Sequence, residues 1–545
     1  MRSPVFAALL TSVVAAGQCE CSRNSNSSSS SFEQQCSKFA QKLDIDNATV
    51  WLAQPVAAGT NLTFPDADPS CGQTALAVGV DFCRITLYVA TSGRSGISME
   101  AWLPRNWTGR FLSTGNGGLN GCLSYDDMAY ATELGFATVG ANNGHNGTSG
   151  EPFLNNPDVV EDFAWRSVHT NVVVGKRISE AFYNRKHTKS YYLGCSTGGR
   201  QGFKSAQSFP EDFDGIVAGA PAVDFNNLNS WSGHFYLLTG PAGSPTYLTP
   251  EQWSAVHDDI MAQCDGLDGY VDGIIEEPRL CQYRPESLIC PPGTPANSSS
   301  STCITGAQAG TVRAVFSDLH GANGTLVYPR MQPGSEQLGT PYLYYGGRPF
   351  PYAADWFRYA VYNDPAWDPA TLGPDDYARA DALNPSDIRT WSGDLAAFRA
   401  RGAKLLHYHG LQDQIISSAN SPRYYDHVAR TMAQAHLSGG GVAGLDDFYR
   451  FFQISGMGHC TGGSGATFIG QARGSTASLD PEQNVLMAVV RWVEQGTAPE
   501  GILGTAFING TTEVAFRRRH CKYPLRNTYT GQGDPREPDS WKCVV

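Results

Sequence analysis

Apolar and polar residues along the chain fall into a recurring order of short strand and longer helix. Ile85–Ala90, Arg110–Ser113 and Ala137–Gly140 are short β-rich runs separated by glycine turns. Val168–Asn184 has apolar residues at helical spacing, Tyr191–Gly194 has the pattern of a buried strand, Gly198–Ser208 can form a helix, and Ile216–Ala218 is again strand-like. The rhythm returns near the end, with Ile388–Arg401 expected as helix, Lys404–His409 and Arg450–Ile454 as strands, and Pro481–Gln495 as helix. Such alternation predicts an α/β fold, a mostly parallel sheet with helices on both faces. There is no internal repeat.

Two stretches break the rhythm. From residue 224 to 385 proline, glycine, tryptophan and tyrosine become dense, and cysteines cluster at 264, 281, 290 and 303. An irregular, cross-linked insertion between two halves of a sheet (36–223 and 386–545) is expected to be a lid domain capping it. At the other end, Arg2 precedes an apolar run from Val5 to Ala16, too short to span a bilayer and followed by Gly17. Residues 1–17 therefore read as a secretory signal peptide, and 18–35, with the serine-rich run at 22–31, as a leader.

Bulk properties narrow the function. The 545 residues are 41% hydrophobic and carry a net charge of -12. That charge excludes a nucleic-acid binder, which needs a basic face, and an anionic membrane surface as partner. Fourteen cysteines in a chain with a signal peptide predict a disulfide framework, and no paired CxxC motifs point to zinc. Glycosylation sequons begin at Asn26, Asn47, Asn61, Asn106, Asn146, Asn297, Asn323 and Asn509. A secreted, extracellular protein is the expectation.

The sharpest motif is Gly194-Cys195-Ser196-Thr197-Gly198, a Gly-x-Ser-x-Gly between an apolar strand and a helix. That context is what a nucleophile elbow needs, because the serine must sit exposed on a tight strand-to-helix turn. A serine hydroxyl needs a base, and the base needs an orienting carboxylate. Asp413 follows the strand Lys404–His409, and His459 follows the strand Arg450–Ile454. Both lie just past strand ends, where α/β sheets gather their sites. His407 and His409, within or at the edge of a strand, are expected to be structural, and His427 to lie on a helix surface. Ser196 follows one cysteine and His459 precedes another, so a Cys195–Cys460 disulfide would hold nucleophile and base together. Donors for an oxyanion are expected from the N–H of Thr197 and from Gly117 or Gly118 in the turn after Arg110–Ser113.

The Cys-Ser, Asp and His-Cys constellation of Cys195-Ser196, Asp413 and His459-Cys460 resembles the tannase/feruloyl esterase family of fungal secreted hydrolases, across nearly the whole chain from Cys36. The resemblance implies an α/β-hydrolase sheet with a large inserted lid. It implies a serine carboxylic ester hydrolase acting on phenolic esters, a feruloyl esterase on plant cell-wall polysaccharide first and a tannase on galloyl esters as the alternative. A carbohydrate-binding protein that has kept only the fold is a remote third reading. The resemblance also implies disulfides Cys36–Cys83, Cys71–Cys122, Cys264–Cys281, Cys290–Cys303 and Cys521–Cys543, leaving Cys19 and Cys21 without an obvious partner. Finally it implies a structural calcium ion in the lid. The loop Asp265–Ile274 would hold it through the side chains of Asp265, Asp268 and Asp272 and the carbonyls of Tyr270 and Ile274, oxygen donors that suit a hard cation. Aromatic stretches Tyr342–Tyr345 and Trp356–Tyr362 are candidates for an acyl pocket, or equally for lid core.

Overall fold

A computed structural model describes residues 31–293, 303–435 and 444–545. The expected signal peptide, most of the leader, Cys19 and Cys21 lie outside the described residues. Within them, the last residues of the expected leader are helical: Phe32–Ser37 is a short helix capped by Ser31, and its Phe32 packs edge-on against Phe182.

The core is a nine-stranded sheet: β1 (Ala48–Val56), β2 (Phe82–Ala90), β3 (Gly96–Pro104), β4 (Arg110–Thr114), β5 (Ala137–Ala141), β6 (Lys189–Cys195), β7 (Gly215–Gly219), β8 (Lys404–Gly410) and β9 (Tyr449–Ile454). Their spatial order is β1-β2-β3-β5-β4-β6-β7-β8-β9. The first three strands and β5 pair antiparallel, and every pairing from β5 onward is parallel. Successive residues serve opposite faces, as the strand period demands. Tyr192, Ile216, Ala218 and Leu405 join the core beneath helices α2 (Ser167–Tyr183), α3 (Thr197–Ser208) and α4 (Asn420–Ala435). Tyr191, Leu193, Val217 and Leu406 face the other way, towards α1 (Tyr125–Glu133) and α5 (Val485–Gln495). Both faces of the parallel half are buried, which is why its strands read as continuous apolar runs.

One expected helix is not there. Of Ile388–Arg401 only Ala396–Ala400 is helical. The carbonyls that would build the earlier turns are used elsewhere: Trp391 O accepts from the ring of His427, and Ser392 O from Tyr424 and Gln207. Asp394, one residue before the N-cap Leu395, accepts the Ala396 N–H in a turn that leads into the short helix.

Between β7 and β8 the chain adds no strand to this sheet. It builds a separate core in which Phe225, Trp231, Trp253, Tyr328, Tyr345 and Trp356 pack with Phe153 and Phe163. Two of its helices, Pro250–Cys264 and Gly306–Val315, start with capping boxes, Thr249/Gln252 and Thr305/Gln308. The two glutamines also bond each other, tying the helix starts together. Arg200, fully buried on α3, fastens this core to the sheet by donating to the carbonyls of Phe163 and Ala164.

All six expected disulfides are present: Cys36–Cys83, Cys71–Cys122, Cys195–Cys460, Cys264–Cys281, Cys290–Cys303 and Cys521–Cys543. The longest-range bridge, Cys195–Cys460, spans 265 residues. On the chain-entropy account such a closure contributes at most about 5–6 kcal/mol.

Candidate active site

The parallel strands end along one edge, and the expected residues arrive there from separate strands. Ser196 follows the last residue of β6. Its backbone sits at φ 65°, ψ −124°, a region that costs a non-glycine residue about 1–3 kcal/mol. The surroundings enforce it: Ser196 N–H donates to Gly219 O, and Ser196 O accepts from the N–H groups of Arg200 and Ala222. The flanking glycines are required by proximity. A Cβ on Gly194 would lie 2.9 Å from the carbonyl of Gly198, and one on Gly198 3.1 Å from Asn116 O. Only bare backbone allows a turn this tight to seat against the 115–118 loop.

That loop follows β4. Gly118, at φ +52°, accepts a 2.7 Å hydrogen bond from Thr197 Oγ1, which joins the two expected oxyanion segments. A Cβ on Gly118 would meet the Tyr352 ring at 2.7 Å. Gln201 on α3 accepts from Asn116 N–H and donates to Asn116 Oδ1, fixing the loop from below.

Asp413 and His459 follow β8 and β9. Asp413 is fully buried, and its two oxygens divide the work. Oδ1 accepts from the N–H groups of Ile415 and Ile416 at 2.8 and 2.9 Å, while Oδ2 accepts from His459 Nδ1 at 2.8 Å. Burial opposes its ionisation, but the charge of His459 and the hydrogen bonds from His409 and His459 overcome that and hold the carboxyl well below the usual carboxylate range. His409 contacts the same Oδ2 at 3.1 Å, so it is structural as expected, yet it supports the acid directly. His407 is sealed between Tyr449 and Ser421, and burial pushes its pKa far down. His459 N–H is itself held by Gln414 Oε1.

With Nδ1 engaged by Asp413, the other imidazole nitrogen of His459 is left to face solvent or substrate. Ser196, Thr197, Gly117, Gly118 and His459 all line one cavity of about 430 Å³. The Cys195–Cys460 bridge forms part of its wall. Among the aromatic candidates of the insertion, Tyr344 lines the cavity, whereas Tyr345 stacks on Trp253 and Trp356 bonds Asn226, both inside the lid core. Phe225, Leu228, Phe350 and Tyr352 complete the apolar wall. Sequence reasoning missed these four, and it missed Asp127 on the first turn of α1. Asp127 faces the same cavity, and burial, with Asp126 beside it, raises its carboxyl to about 7.

The acidic loop is a different case. Asp265, Asp268 and Asp272 are neighbours, but each hooks backbone: Asp265 accepts from Asp272 and Gly273 N–H, Asp268 Oδ1 from Tyr270 N–H, and Asp272 Oδ1 from Ile274 N–H. Asp272 Oδ2 also pairs with Arg518 at 2.9 Å, and Glu276 binds the same arginine. Among the described residues no three His, Cys, Asp or Glu side chains converge as a metal cage. Asp268 Oδ2, however, is buried without a hydrogen-bond partner. An orphaned carboxylate oxygen in an all-oxygen loop fits the chemistry of a hard cation.

A nucleophile-elbow serine beside an Asp-bound histidine and a glycine turn is equipped for acyl transfer. The chain matches the family described as tannase and feruloyl esterase over residues 83–348 and 363–544. It is 57% identical over 515 residues to a probable feruloyl esterase B-2 of Aspergillus terreus, covering 94% of this chain and 96% of that one. It superposes on the crystal structure of feruloyl esterase B from Aspergillus oryzae with a TM-score of 0.91 at 52% identity, covering 94% of this chain and all of the other. Tannin acyl hydrolase from Aspergillus niger shares the fold at a TM-score of 0.74 and 20% identity, over 94% of this chain and 95% of that one.

Proposed function

We propose that this chain, which belongs to the tannase and feruloyl esterase family and is a carboxylic ester hydrolase, is a feruloyl esterase that releases hydroxycinnamic acids from plant cell-wall polysaccharide. The observation that carries the chemistry is the 2.8 Å bond between Asp413 Oδ2 and His459 Nδ1, made beside the strained turn of Ser196. Anchored there, His459 takes the Ser196 proton at Nε2 as the serine oxygen attacks the ester carbonyl, and Asp413 stabilises the imidazolium. The tetrahedral oxyanion rests on the N–H groups of Thr197 and the Gly117–Gly118 turn, each such donor being worth about 10²–10³ in rate. His459 returns the proton to the departing alcohol. A water, deprotonated by the same nitrogen, then attacks the acyl-serine, and His459 passes that proton to the departing Ser196 oxygen as the acid is freed. The aromatic ring of the acid would lie against Phe225, Tyr344, Phe350 and Tyr352.

The substrate assignment rests on identity, 52–57% to feruloyl esterases against 20% to the tannin acyl hydrolase. Turnover of methyl ferulate, methyl caffeate and methyl gallate tests it. The hydroxycinnamates should exceed the gallate in kcat/KM by at least about tenfold; faster gallate turnover would make the enzyme a tannase.

Secretion and glycosylation belong to the same reading. The six sequon asparagines among the described residues, Asn47, Asn61, Asn106, Asn146, Asn323 and Asn509, are all solvent-exposed, as acceptors must be. No described helix is long and apolar enough to cross a membrane. In the lid, calcium would be held by Asp265, Asp268 and Asp272 with the carbonyls of Tyr270 and Ile274, its contribution being to cross-link that loop. The orphaned Asp268 Oδ2 supports this.

A further inference from the structure

The antiparallel edge of the sheet carries a second concavity, larger than the active-site cavity at about 810 Å³. On β1–β3 the positions Ile85, Leu87 and Ile97 are buried in the sheet core. The alternate positions Gln54, Arg84, Thr86, Ser98 and Glu100 line the open groove instead. Its far wall is the segment 60–73, stapled by Cys71–Cys122 to the loop between β4 and α1.

Two features set this groove apart from an ordinary surface crease. The pairing of β1 with β2 shifts register between Val50 and Leu52, leaving Trp51 as a bulge without a cross-strand partner. Trp51 is 57% exposed and stacks on Tyr88 at 6.2 Å and 26°. Bulges re-aim side chains, and a bare indole on an edge strand is a liability unless it meets something. Further along the groove, opposite Gln54, Arg84 holds Glu100 by two hydrogen bonds, and Glu100 also accepts from Trp102 Nε1 and Tyr125 OH. The charged floor is thus pre-set rather than mobile.

From this we infer that the groove is a carbohydrate-binding site, in which Trp51 stacks on the apolar face of a sugar ring while the exposed Gln54 takes its hydroxyls above the nearly buried Arg84–Glu100 pair. A pyranose offers one C–H face and a ring of equatorial hydroxyls, which is what an aromatic platform flanked by planar polar groups complements. The site stands next to the chemistry: Asn120 and Ser124 line the active-site cavity, and Gly121 and Leu123, in the same loop, line the groove. The inference rests on the esterase reading, since it assigns the groove to the polymer that bears the ester. A second source of the same chemistry is the chain's own glycan, because Asn61 and Asn146 lie on the groove and both begin sequons.

The test uses the full-length secreted protein. Ser196→Ala, which removes turnover, is run through gels containing soluble arabinoxylan, alone and with Trp51→Ala or Gln54→Ala, and each again with Asn61→Gln and Asn146→Gln. Retardation should be lost with Trp51→Ala and weakened with Gln54→Ala. With Ser196 intact, Trp51→Ala should raise KM for a feruloylated arabinoxylan oligosaccharide by about five- to tenfold, with methyl ferulate turnover unchanged and Trp51→Phe restoring part of the loss. If the chain's own glycan fills the groove, Trp51-dependent retardation strengthens once both asparagines are replaced, which also supports a carbohydrate site. Retardation and KM indifferent to Trp51 and Gln54 in both glycan states would overturn the inference. Methyl ferulate turnover reads the esterase assignment separately: its absence from the wild-type enzyme would sink that assignment, not the groove.

Discussion

Asp413 and Asp268 begin alike and end differently. Each uses Oδ1 to accept the N–H two residues on, the ordinary aspartate turn. At Asp413 the second oxygen meets two imidazoles and the carboxylate is held ionised, while at Asp268 the second oxygen is buried with no partner. The turn is therefore not the signal. What the remaining oxygen meets decides whether an aspartate orients a base or, as we propose for Asp268, is left to receive a cation.

Four results would break or sharpen this contrast. Asp413→Asn should lower kcat on methyl ferulate by about 10⁴, because the amide cannot hold His459 in the required tautomer. Asp268→Asn should leave kcat within about twofold; equal losses at both sites would erase the distinction. Next in size is the bridge. Replacing Cys195 and Cys460 together by alanine should cost about 10–100-fold in kcat in secreted, folded protein, the effect of a small misplacement of nucleophile against base. Full activity in that variant would show that the bridge is incidental to catalysis.

The third effect concerns stability. Chelation with EGTA should lower Tm by about 5 °C in the wild type and leave Asp268→Asn unmoved. A wild-type Tm indifferent to EGTA and to added calcium would remove the cation from the account. The smallest effect is at Asp127. Its carboxyl keeps its proton to about pH 7 when folded, whereas in the unfolded chain it ionises in the ordinary carboxylate range. The unfolded state thus binds fewer protons across that window, so stability falls as pH rises from about 4 to 7 and stays lost above it. Asp127→Asn should therefore raise Tm by about 1–2 °C at pH 8 and by less at pH 5, read by scanning fluorimetry.

How legible the site was depended on whether neighbours in space were also neighbours of a pattern. Ser196, Asp413 and His459 could be placed because each follows an apolar strand, and parallel strands deliver their ends to one edge. The missing helix at 388–395 could not be foreseen. Its apolar spacing is real, but its carbonyls are claimed by His427 and Tyr424, residues no local window contains. The same holds for the apolar wall of the active-site cavity. Phe225 and Phe350 reach it only through the packing of the insertion, and nothing in their spacing separates them from Trp253 or Tyr345 in the lid core. Trp51 was invisible for another reason. A bulge is a fact about the pairing of two strands, so β1 alone does not show that its tryptophan is turned outward.

The central claim, that Ser196 is the nucleophile, has one direct measurement. The enzyme is treated with a stoichiometric organophosphate and followed by residual turnover, intact mass, and mapping of the tryptic peptide 190–200. A single adduct on Ser196, rising in step with the loss of methyl ferulate hydrolysis, is the predicted result. Inactivation with the label elsewhere, or full turnover with Ser196 quantitatively modified, would contradict it.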